Sequence, residues 1–454
     1  MKRKKVRIQV QQTGMFSDDR IVMLSDTLVK AWKIPAQTPI TLRFGSASQE
    51  VKVVPVHQSG VLRVNESLAA TWGLLPGSPL CLKYRPVSRV LRIGPLIGVM
   101  ISRANSANPE RPFGTVTAFC RELDVACRLY GAAVYFVTPD ELSGQDDMVK
   151  GWQYAGRWTN GSFPVPNVIY NRLTSRKFEN RPNVQQFLQY AKTQHRTVMF
   201  NEMYLNKSDV FDALRKVPGL HMYLPESYLL KSQETLKSMC AKYSTVFLKP
   251  ITGSLGKGII RIRRHPDQSY VCHFTNSGGA RKQSYGSLTQ LCAALSGKIK
   301  QQRYQIQQGL SLITVGGRPV DFRALVQRNE RGEWNITSIV ARTAGNHHFV
   351  SNLARGGSLS SVKVALARSN STASFGGAIK LRRAALAIAK GIESQVTGHF
   401  AELGVDLALD VQGRVWLIEV NSKPSKDDNT QLSDKKLRPS VKRIVQYSRY
   451  AAKF

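Results

Sequence analysis

Three constellations in this 454-residue chain carry side chains able to do chemistry. The first is GVDLALDVQGRVWLIEVNSKPS, residues 404–425, whose alternation predicts a hairpin. Asp406 lies on one strand, and Glu419 and Asn421 lie on the other. Residues two apart on a strand share a face, so the carboxylate and the amide point the same way. Three hard oxygen donors on one face suit Mg²⁺, with Mn²⁺ as the alternative, because such ions take a few carboxylates and complete their shell with phosphate oxygens and water. A carboxylate and an amide inside the otherwise apolar VWLIEVN are costly to bury unless something binds them.

The second is FLKPITGSLGKGII, residues 247–260. Lys249 ends a strand, and a loop with Gly253, Gly256 and Gly258 leads straight into another strand. Glycines let backbone N–H groups approach phosphates, and a strand-end lysine supplies a point charge. No helix follows and G-x-x-x-x-G-K-[ST] is not met, so this is a covering flap or a plain glycine hairpin and not a Walker A loop. The third pairs DFRALVQ with VARTAGNHHFVSNLARGG. Asp321 and Arg323 share a strand face, Arg342 ends the next strand, and Asn352 and Arg355 sit in a glycine-rich loop. Arginines so placed can stabilise charge on a transferring phosphoryl group.

The positioning elements follow from periodicity. Residues 1–88 hold a repeat at an offset of 40, aligning Ser25 with Asn65, Leu28 with Leu68, Trp32 with Trp72 and Pro39 with Pro79. Each unit reads as a strand, an N-cap (Ser25 or Asn65), a short helix and an alternating strand. Two such halves should pack about a pseudo-twofold axis into a small double-psi-like β-barrel, acting as a docking module or a DNA binder. Residues 89–201 alternate strands (GPLIGVMIS, AAVYFVTP, PNVIYNRL, RTVMFN) with helices (115–130 and RPNVQQFLQYAKTQ), which implies a parallel, doubly wound sheet. No G-x-G-x-x-G marks a dinucleotide site. Residues 202–454 read as α+β. Helices are expected at 207–214, 229–243 and 381–403, and strands at YQIQQGL, PVDFRALVQR, WNITSIVART and the hairpin above.

The order of these motifs resembles the ATP-grasp superfamily from about residue 89 to 454. Lys207, in FNEMYLNKSDVFDAL, matches the first ATP lysine and Lys249 the second. The flap Gly253, Ser254, Gly256, Lys257 and Gly258 matches the phosphate loop, and Gln307, Gln308, Gly309 and Leu310 match the hinge whose backbone reads adenine. Arg342, then Phe349 to Asn352, then the GVDL…EVN hairpin follow in the glutathione-synthetase and ribosomal-modification-ligase order. The whole chain resembles the YheC/YheD family of endospore-coat-associated ATP-grasp proteins, through GPLIGVMIS, VIYNRLTSRKFEN, FNEMYLNKSDVF, LKPITGSLGKGI and EVNSKPS. It departs at Gln308, where relatives often carry Glu, and at Lys423, which would put a cation at the active-site mouth.

The resemblance implies an α/β and α+β multidomain protein. A barrel-like tandem repeat (1–88) and a Rossmann-like pre-ATP-grasp domain (89–201) precede an ATP-grasp domain (202–454), itself split into a lysine and glycine-loop half (202–303) and a metal half (304–454). It implies an ATP-dependent carboxylate–amine ligase working through an acyl phosphate. Lys207 and Lys249 would hold phosphates, and Asp406, Glu419 and Asn421 the metal. Arg342 would steady the transferred group, and Arg323, Asn352, Arg355 and Lys423 would face an acidic substrate. The alternatives are a non-catalytic spore-coat protein that keeps the nucleotide, and a nucleic-acid or polyanion binder.

Bulk composition narrows the classes. The chain has 65 Lys and Arg against 30 Asp and Glu, a formal charge of +35. That excess fits either a solvated basic surface or polyanionic partners (nucleic acid, an acidic polymer, anionic cell-wall material or an acidic substrate), and the resemblance adds spore-coat proteins. Six scattered cysteines without C-x-x-C spacing argue against zinc or a disulfide framework and for a reducing, cytoplasmic setting, while the resemblance adds the spore coat as a second location. The apolar stretch at 91–101 is too short and too broken by Gly and Pro to span a bilayer, and no signal peptide is read at the start.

Overall fold

The computed structural model describes residues 3–12, 20–36, 38–251, 258–276, 279–345, 357–371, 376–426 and 437–454. Repeats this short cannot bury a core alone, and here they bury one against each other. Seven strands close a barrel in the order Arg3–Gln11, Val61–Asn65, Ile21–Ser25, Ala47–Val56, Ile40–Phe44, Val90–Gly94, Pro79–Arg85. Ala47–Val56 runs parallel to Ile21–Ser25 and antiparallel to Ile40–Phe44. Arg3–Gln11 pairs with Val61–Asn65 and Pro79–Arg85 in the same two senses, so the pairing repeats the twofold pattern of the sequence. Leu28, Trp32, Leu68 and Trp72 are all buried. The two expected N-caps differ. Asn65 Oδ1 accepts from Leu68 N at 2.7 Å, whereas Ser25 Oγ turns to Thr27 Oγ1 at 2.8 Å and caps nothing. The barrel's last strand ends at Gly94, beyond the boundary expected at 88.

Strand–helix alternation then gives four parallel strands in the order Ala133–Val137, Leu96–Met100, Val168–Asn171, Val198–Phe200. Their near-continuous apolar character fits a sheet covered on both faces. Phe119 and Leu123 of helix Thr117–Tyr130 pack with Ile97 and Val99, while Phe187 and Leu188 of helix Pro182–His195 join the core of Tyr135 and Ile169. A hairpin, Met148–Tyr154 with Trp158–Pro164, extends the sheet and was not anticipated from the sequence. Helix Pro439–Ala451 also returns here, burying Val441, Ile444 and Val445 beside Phe119.

Two antiparallel sheets complete the chain. The lysine sheet runs Ser227–Leu229, Tyr304–Gln308, Thr245–Pro250, Ile260–Arg264, Tyr270–Asn276, Gly279–Tyr285. Leu236 and Leu291 of helices Gln233–Lys242 and Leu288–Gln301 back one of its faces. The carboxylate sheet runs Ser358–Ser361, Trp334–Thr343, Arg318–Arg328, Glu402–Leu409, Val415–Asn421. Behind it lies helix Gly377–Gln395, with Leu381, Ala385, Ile388 and Ile392 buried. This helix was expected to reach 403. It ends instead at Gln395, before Gly398 at φ 117°, and Glu402 opens a strand.

A buried joint ties the α/β sheet to the carboxylate sheet. Glu402 accepts from Tyr170 Oη at 2.9 Å and Gln327 Nε2 at 2.7 Å, and pairs with Lys426. Removing one member of a buried ion pair strands the other charge, so Glu402→Ala should cost about 3–5 kcal/mol of stability. Chemical denaturation would report this as a lower midpoint. An unchanged midpoint would show that Lys426 does not depend on Glu402.

Candidate active site

The carboxylate sheet places its polar residues in one cross-strand row. Arg342 lies opposite Asp321, Arg323 opposite Asp406, and Asp406 opposite Glu419. Asp321 and Arg323 are two apart, as are Glu419 and Asn421, so all six share one face. The opposite face is taken up by Phe322, Val405, Leu407 and Leu417, which build the core against the long helix. Leu417 and Glu419 face opposite ways although they are two apart, because the register slips by one residue between the pairs Leu407–Leu417 and Asp406–Glu419, and this bulge turns Glu419 and Asn421 to the polar side.

Within the row, charge is already matched. Asp406 is gripped by Arg323, whose Nη2 donates to Oδ2 at 2.9 Å, and by Arg342 Nη2 at 3.1 Å from the same oxygen. Arg342 also donates to Asp321 through Nε at 2.6 Å and Nη2 at 2.9 Å. Burial alone would raise the Asp406 carboxyl, but the two guanidiniums hold it below its ordinary value. The same burial would lower Arg342, and Asp406 and Asp321 more than reverse it. Arg323 and Arg342, expected to face substrate and phosphoryl group, are thus already engaged within the row. Both are bound to carboxylates, and neither Nη1 forms a hydrogen bond among the described residues. Asp321 is the partner that the sequence reading left without a role.

Can these residues fit a metal ion? Among the described residues no group of three or more His, Cys, Asp or Glu side chains could hold one. The expected set contains only two carboxylates, with an amide as the third member. A carboxylate offers about four lone-pair sites, and Asp406 spends three on its arginines, which leaves one on Oδ1. Glu419 is partly exposed, with Lys207 Nζ at 3.7 Å. Two carboxylates with spare capacity and one amide fit an ion that keeps water and phosphate oxygens, as Mg²⁺ does.

The lysine sheet supplies the facing wall. Lys249 and Gln307 lie on the polar side of neighbouring strands, and Lys249 Nζ donates to Gln307 Oε1. Burial and the nearby charge of Lys207 push the Lys249 ammonium down to about 8, and Glu419 only partly opposes this. Two lysines and the Glu419 carboxylate from three different elements therefore meet. Gln307 Nε2 is buried and has no acceptor among the described residues. The sequence pointed to Gln307 for its backbone; its orphaned side-chain donor shows only in the fold.

At the hinge, Gln308 N donates to Glu226 O at 2.9 Å, and Gln308 Oε1 accepts from Glu226 N at 2.7 Å. The glutamine at this position thus ties down the edge strand. Gly309 N donates to Thr245 O at 2.7 Å, and a Cβ on Gly309 would stand 2.6 Å from Thr245 Cβ. Gly309→Ala should therefore displace the hinge and cost about 1–3 kcal/mol, read as a lower thermal midpoint. A midpoint equal to that of the unaltered protein would contradict this.

Gly258 closes the flap at φ 73°. Gly253, Ser254, Gly256 and Lys257, and likewise Phe349, Asn352 and Arg355, lie outside the described residues. Lys423 is not at the mouth of the cleft. Its side chain is 2% exposed, paired with Glu179 and lying over the Tyr204 ring at 4.7 Å. A broad depression of about 890 Å³ beside Gln185 and Glu202 is lined by none of the expected site residues.

Residues 196–451 match the family described as YheC/D like ATP-grasp, a span that takes in both sheets of the cleft. The chain belongs to that family. Among relatives of the YheC/D-like ATP-grasp family, the endospore coat-associated protein YheD of Bacillus subtilis (strain 168) is 28% identical over 338 residues, covering 74% of each chain. The endospore coat-associated protein YheC of the same organism is 22% identical over 315 residues, covering 67% of this chain and 84% of its own. D-alanyl-alanine synthetase A from Vibrio cholerae O1 biovar eltor str. N16961 aligns in structure over 80% of this chain and 99% of its own, at 11% identity and a TM-score of 0.46, a likeness too loose to bear on function. No helix among the described residues is long and apolar enough to cross a membrane.

Proposed function

We propose that this protein is a Mg·ATP-dependent carboxylate–amine ligase that works through an acyl phosphate. The observation that carries the reading is the Lys249–Gln307 pair. It combines a half-buried ammonium beside a second lysine with a buried amide nitrogen that has no acceptor among the described residues. Phosphate oxygens would satisfy both donors through charge-assisted hydrogen bonds.

In this reading Lys207 and Lys249 hold the α- and β-phosphates, and Gln307 Nε2 donates to the same chain of oxygens. Glu419, Asn421 and the spare lone pair of Asp406 hold Mg²⁺, which when bound offsets the charge of the phosphates. Arg323 and Arg342 keep Asp406 ionised and in place, and Arg342 Nη1 donates to the transferred phosphoryl group. Adenine lies along Gln308 to Leu310. Because two hinge amides are already bonded, it is read there largely through carbonyls. The flap Gly253, Ser254, Gly256, Lys257 and Gly258 covers the phosphates, and Asn352 and Arg355 face the acidic substrate. The sheet of residues 89–201 takes the Rossmann-like place ahead of an ATP-grasp unit spanning 202–454, whose halves meet near 303. Association with the endospore coat comes to this chain from the names of its relatives.

One observation favours a second reading, nucleotide binding without turnover: Asp406 is already neutralised by two arginines. Hydroxylamine, a small amine that captures acyl phosphates as hydroxamates, separates the two. With Mg·ATP and a panel of carboxylic acids, the ligase reading expects acid-dependent ADP release and hydroxamate for at least one acid. Binding of Mg·ATP with no acid-dependent ADP across the panel would favour the non-catalytic reading.

A further inference from the structure

A parallel sheet offers a ligand crevice beyond the carboxyl ends of its strands, where the strand order reverses. Here the reversal lies between Leu96–Met100 and Val168–Asn171. The chain passes from the first of these to Ala133–Val137 on one side and later returns to Val168–Asn171 on the other. None of the residues assigned to nucleotide or metal lies there. Ser102 and Arg103 follow one strand end, and Arg172, Thr174 and Arg176 follow the other. Ser102 Oγ lies 2.8 Å from Thr174 Oγ1 and accepts from Thr174 N at 2.8 Å, so the two turns are pinned together.

Cations gather at these turns. Arg103 and Arg176 are exposed, lying over the rings of Phe178 at 5.5 Å and Tyr204 at 5.7 Å. The Arg172 side chain is 9% exposed, and its Nη1, 3.8 Å from Glu402, has no hydrogen-bond partner among the described residues. Lys423 joins them from the carboxylate sheet, paired with Glu179 over the same Tyr204 ring. It follows Asn421 by two residues, a span of at most about 7 Å, so the crevice adjoins the candidate metal face. Among the described residues, the carboxylates paired with these cations are Glu402 with Arg172 and Glu179 with Lys423, and Glu402 already serves Lys426.

We propose that this crevice is the acceptor subsite of the enzyme, taking a ligand with at least two anionic groups, carboxylate or phosphate, one end of which reaches Asn421. The proposal rests on the ligase reading above. Planar guanidiniums match either oxyanion in a bidentate fork, and Arg103 and Arg176 remain accessible to deliver it.

The test uses the full chain with its nucleotide site filled by the non-hydrolysable Mg·AMPPNP, and titrates triglutamate and inorganic pyrophosphate by calorimetry. At least one probe should bind, and Arg103→Ala/Arg176→Ala should weaken it about tenfold, leaving Mg·AMPPNP affinity unchanged. Which probe binds tells carboxylate from phosphate. The proposal is overturned if neither binds. It is equally overturned if Lys30→Ala/Lys52→Ala, which removes the same charge from exposed positions of the barrel, weakens binding as much. Should Mg·AMPPNP itself not bind, the ligase reading fails separately, and the same titrations without nucleotide still decide whether the crevice takes anions.

Discussion

Glu419→Ala is expected to weaken Mg·ATP binding by roughly 100-fold or more, since losing a residue that merely orients a metal ligand already costs about 10–100-fold. Glu419 is one of only two carboxylates in the candidate metal set, and it is the one not held by arginines. Its truncation breaks only the partly exposed Lys207 pair and leaves Lys249 without that carboxylate, so the thermal midpoint of the ligand-free protein should fall by less than in Asp406→Ala. Asp406→Ala would also lose the nucleotide, but it leaves Arg323 and Arg342 short of a counter-ion and should cost about 3–5 kcal/mol. Calorimetry of Mg·ATP beside melting of the free protein separates the two effects. Unchanged affinity in a folded Glu419→Ala protein would overturn the metal assignment.

The second large effect lies in pH. Lys249 titrates near 8 in the folded, nucleotide-free protein, held down first by burial and then by Lys207. In an unfolded chain a lysine titrates near about 10.4. Below pH 8 both states carry the proton and the fold bears a constant penalty. Between about 8 and 10.4 the unfolded chain binds more protons, so stability of the free protein should rise with pH across that window. Phosphate oxygens reverse the sign for binding, because they favour the charged lysine. Mg·ATP affinity should be flat below pH 8 and fall above it by up to about tenfold per unit, with proton uptake on binding. Calorimetry in two buffers of different ionisation enthalpy counts that proton. Lys249→Met should bind weakly and lose the pH dependence. If the dependence persists in Lys249→Met, another group carries it.

Much of this site was readable from alternation alone. Asp321 with Arg323, and Glu419 with Asn421, sit two apart on apolar strands, and that spacing forces a shared face whatever the rest of the chain does. The repeat was readable for the same reason, since equivalent half-units can close a core only on each other. What escaped depends on long-range register. Nothing local says that Asp406 lands between two arginines 83 and 64 residues away, or that Gln307 turns its amide to Lys249 across neighbouring strands. Lys423 looked like a cation at the cleft mouth because its partner, Glu179, is 244 residues distant. The hairpin at 148–164 was missed because GWQYAGRW mixes glycine and polar residues with the aromatics that make it a strand pair. The overlong helix at 381–403 shows the limit of an apolar stripe: Phe400 and Leu403 continue it in sequence while the backbone has already turned.

The most direct test is a crystal structure of the full chain with Mn²⁺ and a non-hydrolysable ATP analogue, recorded at the manganese absorption edge. An anomalous peak within bonding distance of Glu419 and Asn421, with phosphates against Lys249 and Gln307 Nε2, is the predicted result. Nucleotide bound elsewhere, or a peak held without Glu419, would contradict the account.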